Sequence, residues 1–404
     1  MFILGGVFSA CAFFPAVVSS FANVRVTIVI VAFLVVAMTV YGRTSSATYV
    51  LMLLTLFLVI LIGSLISTQL ADATGDPLVA TNAQRLFVVT PLLFVAGVGT
   101  GLRLDWARPL GLAYLFLAFA ASGLAIVEAS VGRSLLGRDL ELAEMSREGD
   151  IRAIVASEHS LVLGTLLALA IPICLILPKG LRLPAATLLV LGVAATGSRG
   201  PLLVGLVFAI VSLFRSVTAS VARHSRILTL TAVVGLGVLA YLSSFVWTNV
   251  VEGSTGSEYS ANYRWAIYAT VPDLLISQPL GYGLGTFPQG VWLVESRAFG
   301  VKDIVLTLDS ELVYSAFTLG WIGLGLVSGA LIVSILAVRH SPIVGLTATM
   351  CSVLGLSIAL HAWDGLGAMW VLLVGMSSAI LLKGRQMNEP HMRSETLDAL
   401  RPSS

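Results

Sequence analysis

The amino-acid sequence predicts an all-α integral membrane protein that crosses the bilayer about 12 times. Hydrophobic residues make up 57% of the 404 residues, charged residues only 11%, and the mean hydropathy is +0.97. The apolar residues form runs of about 14 to 25, and about 20 helical residues cross a 30 Å hydrocarbon layer. These runs are continuous rather than alternating. They therefore favour helices, in which backbone groups surrounded by lipid find hydrogen-bond partners within their own segment.

The predicted spans form one polytopic membrane domain, residues 1–385, followed by a polar tail, 386–404, that we expect to be disordered. The spans lie at about 2–19, 25–41, 48–68, 86–102, 109–127, 153–177, 183–197, 201–214, 227–245, 314–338, 343–360 and 366–382. The seventh and eighth are short, and we expect the turn between them to dip below the membrane surface.

Basic residues concentrate in the connections on one side of the predicted bundle, and acidic residues in those on the other. Positive charge marks the cytoplasmic side, so both termini are expected in the cytoplasm. Two extracytoplasmic loops are long. The first, about 128–152, is expected to be a solvated, mainly helical lid. The second, about 246–313, is rich in aromatic residues and glycine, which favours packing against the membrane face.

Composition also excludes several classes of function. A net charge of +2 argues against nucleic-acid binding. The cysteines, Cys11, Cys174 and Cys351, lie inside apolar runs, where they are typical of core residues rather than disulfides. No His/Cys cluster has metal-ligand spacing, so no metal and no cofactor are expected. Residues 1–20 lack a basic leader, and another span follows directly, which predicts a retained first helix rather than a signal peptide.

Arg199 is the first candidate for function. It lies in Gly197-Ser198-Arg199-Gly200-Pro201, between two apolar runs. A guanidinium near the bilayer boundary costs on the order of 3 kcal/mol even on lenient scales. Proline suits the first turn of the following helix, so the turn combines a helix N-terminus with a cation, and both suit an anion. The alternative is an ion pair with Glu158 that holds two helices together.

Arg264 and Asp309 are the other two candidates. Arg264 opens a segment, 264–277, that we expect to form an amphipathic interfacial helix; alternatively, its side chain only reaches lipid phosphates. Asp309 precedes a predicted span and is a candidate functional carboxylate; its alternative role is the N-cap of that helix, and the two roles are not exclusive. The glycine-rich stretch 281–287 lacks the ending of a nucleotide-binding loop and predicts a flexible turn. Glu158 and His159 either line a cavity or only lie at the membrane–water interface.

Together these segments resemble the bacterial family of O-antigen ligases and O-antigen polymerases, which are membrane glycosyltransferases. The likeness covers about residues 190–335 and depends on three pieces. These are the turn Thr196–Gly200, Arg264-Trp265 followed by Pro279–Phe287, and Asp309–Tyr314 followed by Leu319–Gly325. Ligases carry a histidine where this chain has Asp309, so the carboxylate is more similar to polymerase-type members.

The resemblance implies a GT-C-like fold and metal-independent transfer of a glycan from a polyprenyl-pyrophosphate-linked donor to a glycan acceptor. The reaction would occur at the outer face of a bacterial plasma membrane, with a flippase and a chain-length regulator as possible partners. The implied catalytic residues are Asp309, Arg264 and Arg199. The implied substrate-binding residues are Arg199, Arg264, Tyr263, Tyr282, Ser198 and Glu311. In physical terms, guanidiniums neutralise a departing diphosphate, and a positioned base accepts the proton of the attacking sugar hydroxyl.

Three functions remain open from the sequence. A polymerase that joins repeat units of a surface polysaccharide is the leading hypothesis. The alternative is a ligase that transfers finished glycan en bloc to a lipid or another acceptor. An ion-coupled transporter is an alternative of another class, although transporters usually place ionisable groups at the midplane of paired halves.

Overall fold

The computed structural model describes the chain except residues 20–22, 41–57, 59–60, 64, 68, 71–72, 74–76, 137–145, 148–149, 158, 219–254, 286, 297–299, 307, 361–363 and 400–404. The α-helices in its first half are α1 (Phe2–Phe13), α2 (Pro15–Ser19), α3 (Val24–Val40), α4 (Pro77–Gln84), α5 (Thr90–Leu102), α6 (Leu104–Val131), α7 (Ser160–Ile173) and α8 (Lys179–Ala195). Those in the second half are α9 (Arg199–Thr218), α10 (Thr255–Ser277), α11 (Glu311–Ala337), α12 (Pro342–Leu354) and α13 (Asp364–Ala399). A π-helical turn, Arg85–Val89, joins α4 to α5, and 3-10 turns lie at Cys174–Ile176 and Ile304–Leu306.

Within the described ranges, 4 helical segments are long and apolar enough to cross a membrane. They are Val79–Leu102, Asp105–Val131, Glu311–Ala337 and Gly365–Lys383. Each coincides with one predicted span, and α1, α3, α7, α9 and α12 contain shorter apolar helices of 10–17 residues. The predicted span 227–245 lies outside the described residues, and 48–68 lies largely outside them. The structure thus supports an all-α membrane protein, and the larger number of crossings stays a prediction.

Helix α7 forms the centre of the bundle. All of its residues except Leu161 are buried, as expected for a helix that is apolar on every side. Helices α6, α8, α9 and α12 pack around it. We call the end of the bundle where α7 and α11 begin and α6 ends the upper end. It is the end that the charge pattern predicts to be extracytoplasmic.

Helices α5 and α13 approach each other through glycines. A Cβ atom on Gly97 would overlap the backbone of Leu372 and approach that of Gly375, and one on Gly101 would approach the backbone of Met376. The Gly-x-x-x-Gly spacing of 97 and 101 places both on one face of α5. In lipid, where apolar surface alone does not drive association, small residues let two helix backbones pack closely. These glycines therefore fix the α5–α13 contact.

Two short antiparallel hairpins interrupt the helical fold at its upper end. Ser146–Arg147 (β1) pairs with Asp150–Ile151 (β2), and Leu293–Ser296 (β3) pairs with Gly300–Asp303 (β4). The segment 128–152, expected to be solvated and mainly helical, instead contains the end of α6 and, in its described part, the first hairpin. At the other end of the chain, α13 continues through Ala399, into the segment that we expected to be disordered.

Candidate active site

Helix α11 is broken at Gly320, whose φ of 59° and ψ of −134° are not helical. The turn Pro279–Gly283 fills the break. Three backbone hydrogen bonds join the turn to the helix: Tyr282 N–H to Phe317 O (2.7 Å), Gly283 N–H to Thr318 O (3.0 Å) and Trp321 N–H to Pro279 O (3.0 Å). A Cβ atom on Gly281 or Gly320 would overlap the facing backbone. The glycine-rich stretch therefore serves backbone packing against α11.

The first turn of α11 is held from two sides. Ser310 is its N-cap: the Ser310 Oγ accepts from the Val313 N–H (3.4 Å) and lies 3.0 Å from the Tyr268 hydroxyl. The Glu311 N–H donates to the carbonyls of Gly355 (2.9 Å) and Ile358 (3.1 Å). Capping thus falls to Ser310, and Asp309 precedes the cap. The alternative interpretation of Asp309 as the N-cap was wrong.

Asp309 lies among three basic side chains that come from three different segments. Its carboxyl interacts electrostatically with Arg264 of α10, Lys302 of β4 and His159 before α7. Part of the side chain is exposed, yet the surrounding protein removes enough water to raise the pKa of Asp309 above its ordinary value. The charges of Arg264 and Lys302, and that of His159 when its ring is protonated, lower that pKa and do not outweigh the desolvation. A carboxylate with a raised pKa beside a cation suits proton transfer near neutral pH.

Arg264 is fixed by the packing of α10. Its neighbour Tyr263 is only 4% exposed and donates through its hydroxyl to Ile304 O (3.4 Å). The Lys302 Nζ lies 4.6 Å from the centroid of the Tyr263 ring, within the range of a cation–π interaction. The Nε of Arg264 is buried and finds no hydrogen-bond partner in the described part of the chain. A buried donor left unpaired is costly, and a bound anion would satisfy it.

His159 is the N-cap of α7. Its Nδ1 accepts from the Leu161 N–H (3.0 Å), and a ring nitrogen that accepts a hydrogen bond carries no proton. Desolvation and, next, the nearby Arg152 lower the pKa of His159, whereas Asp309 raises it by less. At neutral pH His159 is therefore an uncharged imidazole beside the Asp309 carboxyl.

Glu128 anchors the segment that carries Arg152 and His159. The side chain is 0% exposed, and its carboxylate accepts from the backbone N–H groups of Leu135 (2.9 Å), Ile154 (3.1 Å) and Val155 (2.7 Å). Val155 has φ of 54°, a costly conformation for a β-branched residue. Such strain persists where the surroundings determine the backbone. The charge-assisted bonds of Glu128 supply that constraint.

Arg199 opens α9 and is exposed at the upper end. Gly197, with φ of 62°, makes the preceding turn, and a Cβ atom there would lie 3.1 Å from the Cγ of Arg152. A Cβ atom on Gly200 would lie 3.9 Å from the Oγ of Ser357, in the loop that also accepts from Glu311. Arg199 therefore shares an end of the bundle with Asp309, but is not among the charges that shift the Asp309 pKa.

The other residues that the sequence predicted for the site lie in different surroundings. Ser198 is buried, and its Oγ finds no hydrogen-bond partner in the described ranges. Tyr282 stacks on Phe317, with ring centroids 6.2 Å apart, and its hydroxyl accepts from the Trp292 Nε1 (2.9 Å). Tyr263 and Tyr282 are thus both engaged in packing. Glu158, the alternative partner of Arg199, lies outside the described residues.

Helix α10, expected to be amphipathic, is apolar on two sides. Ile267 and Leu274 are buried against α11, whereas Trp265 and Ile276 are 66% and 80% exposed. An amphipathic helix would instead turn a polar face to water. The exposed indole and alkyl groups suit the boundary between lipid and water.

An apolar cleft runs from the upper end into the bundle between Val79–Leu102, α11 and α13. Its volume is about 330 Å³. Glu311, Tyr314 and Arg85 line one part of the cleft, and apolar side chains such as those of Phe94 and Leu326 line the rest. The Asn82 Nδ2 donates to Leu284 O (2.8 Å) and so closes the cleft on the side of the glycine-rich stretch. Glu311, two residues after Asp309, connects this cleft to the charged cluster.

Sequence reasoning missed Lys302, Arg152, Glu128 and Arg85. The signal for the three cations was available, since each is a basic residue in a part of the chain where acidic residues predominate. Nothing in the sequence distinguishes Glu128 from the acidic residues that follow it in the segment 128–152. Its partners are backbone groups more than 20 residues away, except for Leu135 and Ser134.

Within the described ranges, no group of three or more His, Cys, Asp or Glu side chains could hold a metal ion. The arrangement offers two cations, Arg264 and Lys302, one carboxyl, Asp309, and one neutral imidazole, His159. This cluster lies two residues before Glu311, which lines the apolar cleft. Comparisons with protein-family models, with curated proteins and with solved structures found no match.

Proposed function

We propose that this protein is a membrane glycosyltransferase that polymerises repeat units of a surface polysaccharide from a polyprenyl-pyrophosphate-linked donor. The observation that carries the proposal is that the Arg264 guanidinium, with a buried and unpaired Nε, lies near enough to the Asp309 carboxyl to lower its pKa. A cation for the leaving diphosphate and a base for the attacking hydroxyl are the two groups that such a transfer needs. They come from segments 45 residues apart in the chain.

Arg264 binds the diphosphate. Its buried and unpaired Nε donates to a phosphate oxygen, and the guanidinium neutralises the charge that develops as the glycosidic bond to the phosphate breaks. Lys302, fixed over the Tyr263 ring, adds a second positive charge. Arg199, exposed at the start of α9, is the third cation of this end of the bundle, and we call the three cations together the diphosphate clamp.

Asp309 accepts the proton of the acceptor hydroxyl as that oxygen attacks the anomeric carbon. Its raised pKa makes it a stronger base than an ordinary carboxylate. The neutral His159 ring lies beside it and contributes no competing positive charge. The polyprenyl chain of the donor extends into the apolar cleft whose lining includes Glu311 and Arg85.

The break in α11 also raises the alternative of an ion-coupled transporter, because transporters place substrates at broken helices. In those proteins, the free ends of the half-helices face the substrate or the ion. Here the Pro279–Gly283 turn uses the carbonyls of Phe317 and Thr318 and the N–H of Trp321. The break is filled by protein, which favours the transferase.

The test is polymer synthesis in liposomes that contain the purified protein and a polyprenyl-pyrophosphate-linked repeat unit. We expect a ladder of glycans that grows on the lipid-linked units. Arg264→Gln and Asp309→Asn should lower the rate by a hundredfold or more, which corresponds to about 3 kcal/mol of transition-state stabilisation. Arg339→Gln is the matched control, since Arg339 is exposed at the lower end of α11.

The outcomes separate the candidate functions. A single transfer of finished glycan to a lipid or sugar acceptor would instead identify a ligase. Solute flux without any glycan product would favour transport. Wild-type rates in Arg264→Gln and Asp309→Asn would refute the assignment of the site, whatever product is formed.

A further inference from the structure

A second, larger cavity lies in the lower half of the bundle, away from the candidate active site. Its volume is about 550 Å³, within the range of ligand-binding pockets. It is enclosed by α1, α3, α5, α6, α12 and α13, with α7 behind it. Its walls are mainly alkyl and aromatic side chains, among them Phe8, Val35, Leu93 and Leu373.

Three hydroxyl groups of the wall already donate hydrogen bonds. The Tyr114 hydroxyl donates to Leu166 O (2.8 Å), Thr100 Oγ1 to Ala96 O (2.9 Å) and Thr347 Oγ1 to Ile343 O (2.8 Å). A buried water needs two to four polar partners, and these side chains direct their hydroxyl hydrogens to backbone carbonyls. The cavity therefore suits an alkyl chain rather than water or a sugar.

Arg108 marks where the cavity reaches the surface. The residue lines the cavity and is exposed, and it makes no hydrogen bond or ion pair with any residue that the structure describes. Ser341, the N-cap of α12, lines the same cavity, and its side chain makes no capping bond. A guanidinium beside a helix N-terminus suits a phosphate.

The opening is separated from the candidate active site by the thickness of a membrane. Arg108 and Glu128 lie near opposite ends of α6, and the 20 residues between them span about 30 Å at 1.5 Å per residue. That distance matches the hydrocarbon layer. Arg108 therefore lies at the headgroup level of the leaflet opposite the active site, on the side predicted to be cytoplasmic.

We infer that this cavity is a binding site for an anionic phospholipid of that leaflet, with an acyl chain inside the bundle and the phosphate against Arg108. The apolar wall selects an alkyl chain, and the cation at the opening selects a negative headgroup. A lipid held there fills the space between α1, α6 and α12 and stabilises the lower half of the bundle. The inference does not depend on the proposed glycosyltransferase activity.

Native mass spectrometry of the detergent-solubilised protein tests the inference, with phosphatidylglycerol and phosphatidylethanolamine of identical acyl chains as probes. We expect the wild type to retain phosphatidylglycerol in preference. Arg108→Gln should weaken phosphatidylglycerol retention about tenfold, or about 1.4 kcal/mol. Ala107→Trp, which places an indole at the opening, should weaken retention of both lipids.

Arg103→Gln is the matched control. Arg103 lies five residues earlier, its guanidinium lies 4.6 Å from the centroid of the Trp106 ring, and it does not line the cavity. This variant should retain both lipids like the wild type. Equal retention of the two lipids by the wild type, unchanged selectivity in Arg108→Gln, or an equal loss in Arg103→Gln would each overturn the inference.

Discussion

Replacing Gly320 by alanine should separate the glycine-rich turn from α11. Gly320 has φ of 59°, in the region where a side chain is strained, and an added Cβ would overlap the Pro279 carbonyl. The helix cannot relieve the overlap by becoming regular, because a regular helix at this position would need the space that Pro279–Gly283 occupies.

The size of the effect follows from two contributions. An alanine held in a sparsely populated backbone conformation costs about 1–3 kcal/mol. Displacement of the turn breaks up to three backbone hydrogen bonds, each worth about 1 kcal/mol net. The free energy of unfolding should therefore fall by about 3 to 6 kcal/mol. Because the turn holds the lower end of the piece 311–319, whose upper end follows Asp309, the rate of glycan transfer should fall as well.

The measurement is the thermal unfolding midpoint of the purified protein in detergent, with Gly325→Ala as the matched control. Gly325 belongs to the same helix, and a Cβ there meets nothing within 4 Å. The control replaces a helix-interior glycine without a clash and should be stabilised by about 0.5–1 kcal/mol. A Gly320→Ala protein that melts at or above the wild-type midpoint would refute the role assigned to the break.

Four further predictions concern the charged residues of the upper end. Glu128→Ala leaves at least two buried backbone N–H groups without an acceptor and should cost about 2–6 kcal/mol at about 1–3 per group, measured as the loss of the thermal midpoint; an unchanged midpoint would show that the carboxylate is dispensable. Because the pKa of Asp309 is raised above 3.8, the transfer rate should rise with pH only above that value. Arg264 lowers this pKa, so in Arg264→Gln the rise should occur at a higher pH. An unchanged pH profile would contradict the interaction between Arg264 and Asp309. The stability contributed by Asp309 is present at low pH and is lost as pH rises through the raised pKa, so Asp309→Asn should be at least as stable as the wild type at pH 7 while losing activity. Arg199→Ala should abolish transfer while membrane insertion remains intact, and activity within about twofold of the wild type would remove Arg199 from the diphosphate clamp.

Hydropathy predicted the class of the fold because an apolar segment in lipid must form its backbone hydrogen bonds within itself, which is a local requirement. A backbone in lipid must satisfy its own hydrogen bonds, so an apolar run such as 109–127 is a helix whatever surrounds it. The corresponding helix, Asp105–Val131, is longer than the run. Its added turn includes Glu128, whose charge ends the hydropathy signal but whose backbone continues the helix.

The break in α11 could not be predicted from the same signal. Gly320 and Gly325 are both glycines in an apolar helix, and only the first faces another backbone. The partner turn begins 41 residues earlier in the chain, at Pro279. The glycines of that turn predicted a flexible turn from the sequence. Their contact with the backbone of a distant helix could not be predicted, because it requires the fold to be known.

The candidate site was predicted in part. The cost of charge in an apolar chain singled out Arg264 and Asp309, and the structure brings them together. Lys302 was not predicted as a site residue, because it lies in a hairpin outside the predicted membrane spans, where a charge carries no unusual cost. The N-cap alternative for Asp309 was wrong by a single residue, which is within the uncertainty of any helix boundary read from sequence. Its consequence is large, since the shift to Ser310 leaves the carboxylate available for chemistry.

The geometry of α11 explains why a break and a charged cluster occur in the same helix. Residues 311–319 are held at one end by the Glu311 N–H bonds to Gly355 and Ile358, and at the other by the turn that fills the break at Gly320. A continuous helix would transmit every tilt of its lower half to Asp309. The break separates the short upper piece from that motion, and the bond between the Ser310 and Tyr268 hydroxyls ties it to α10, which carries Arg264. The distance between base and cation is therefore set by neighbours within the upper end, which is the preorganisation that electrostatic stabilisation of a departing diphosphate requires.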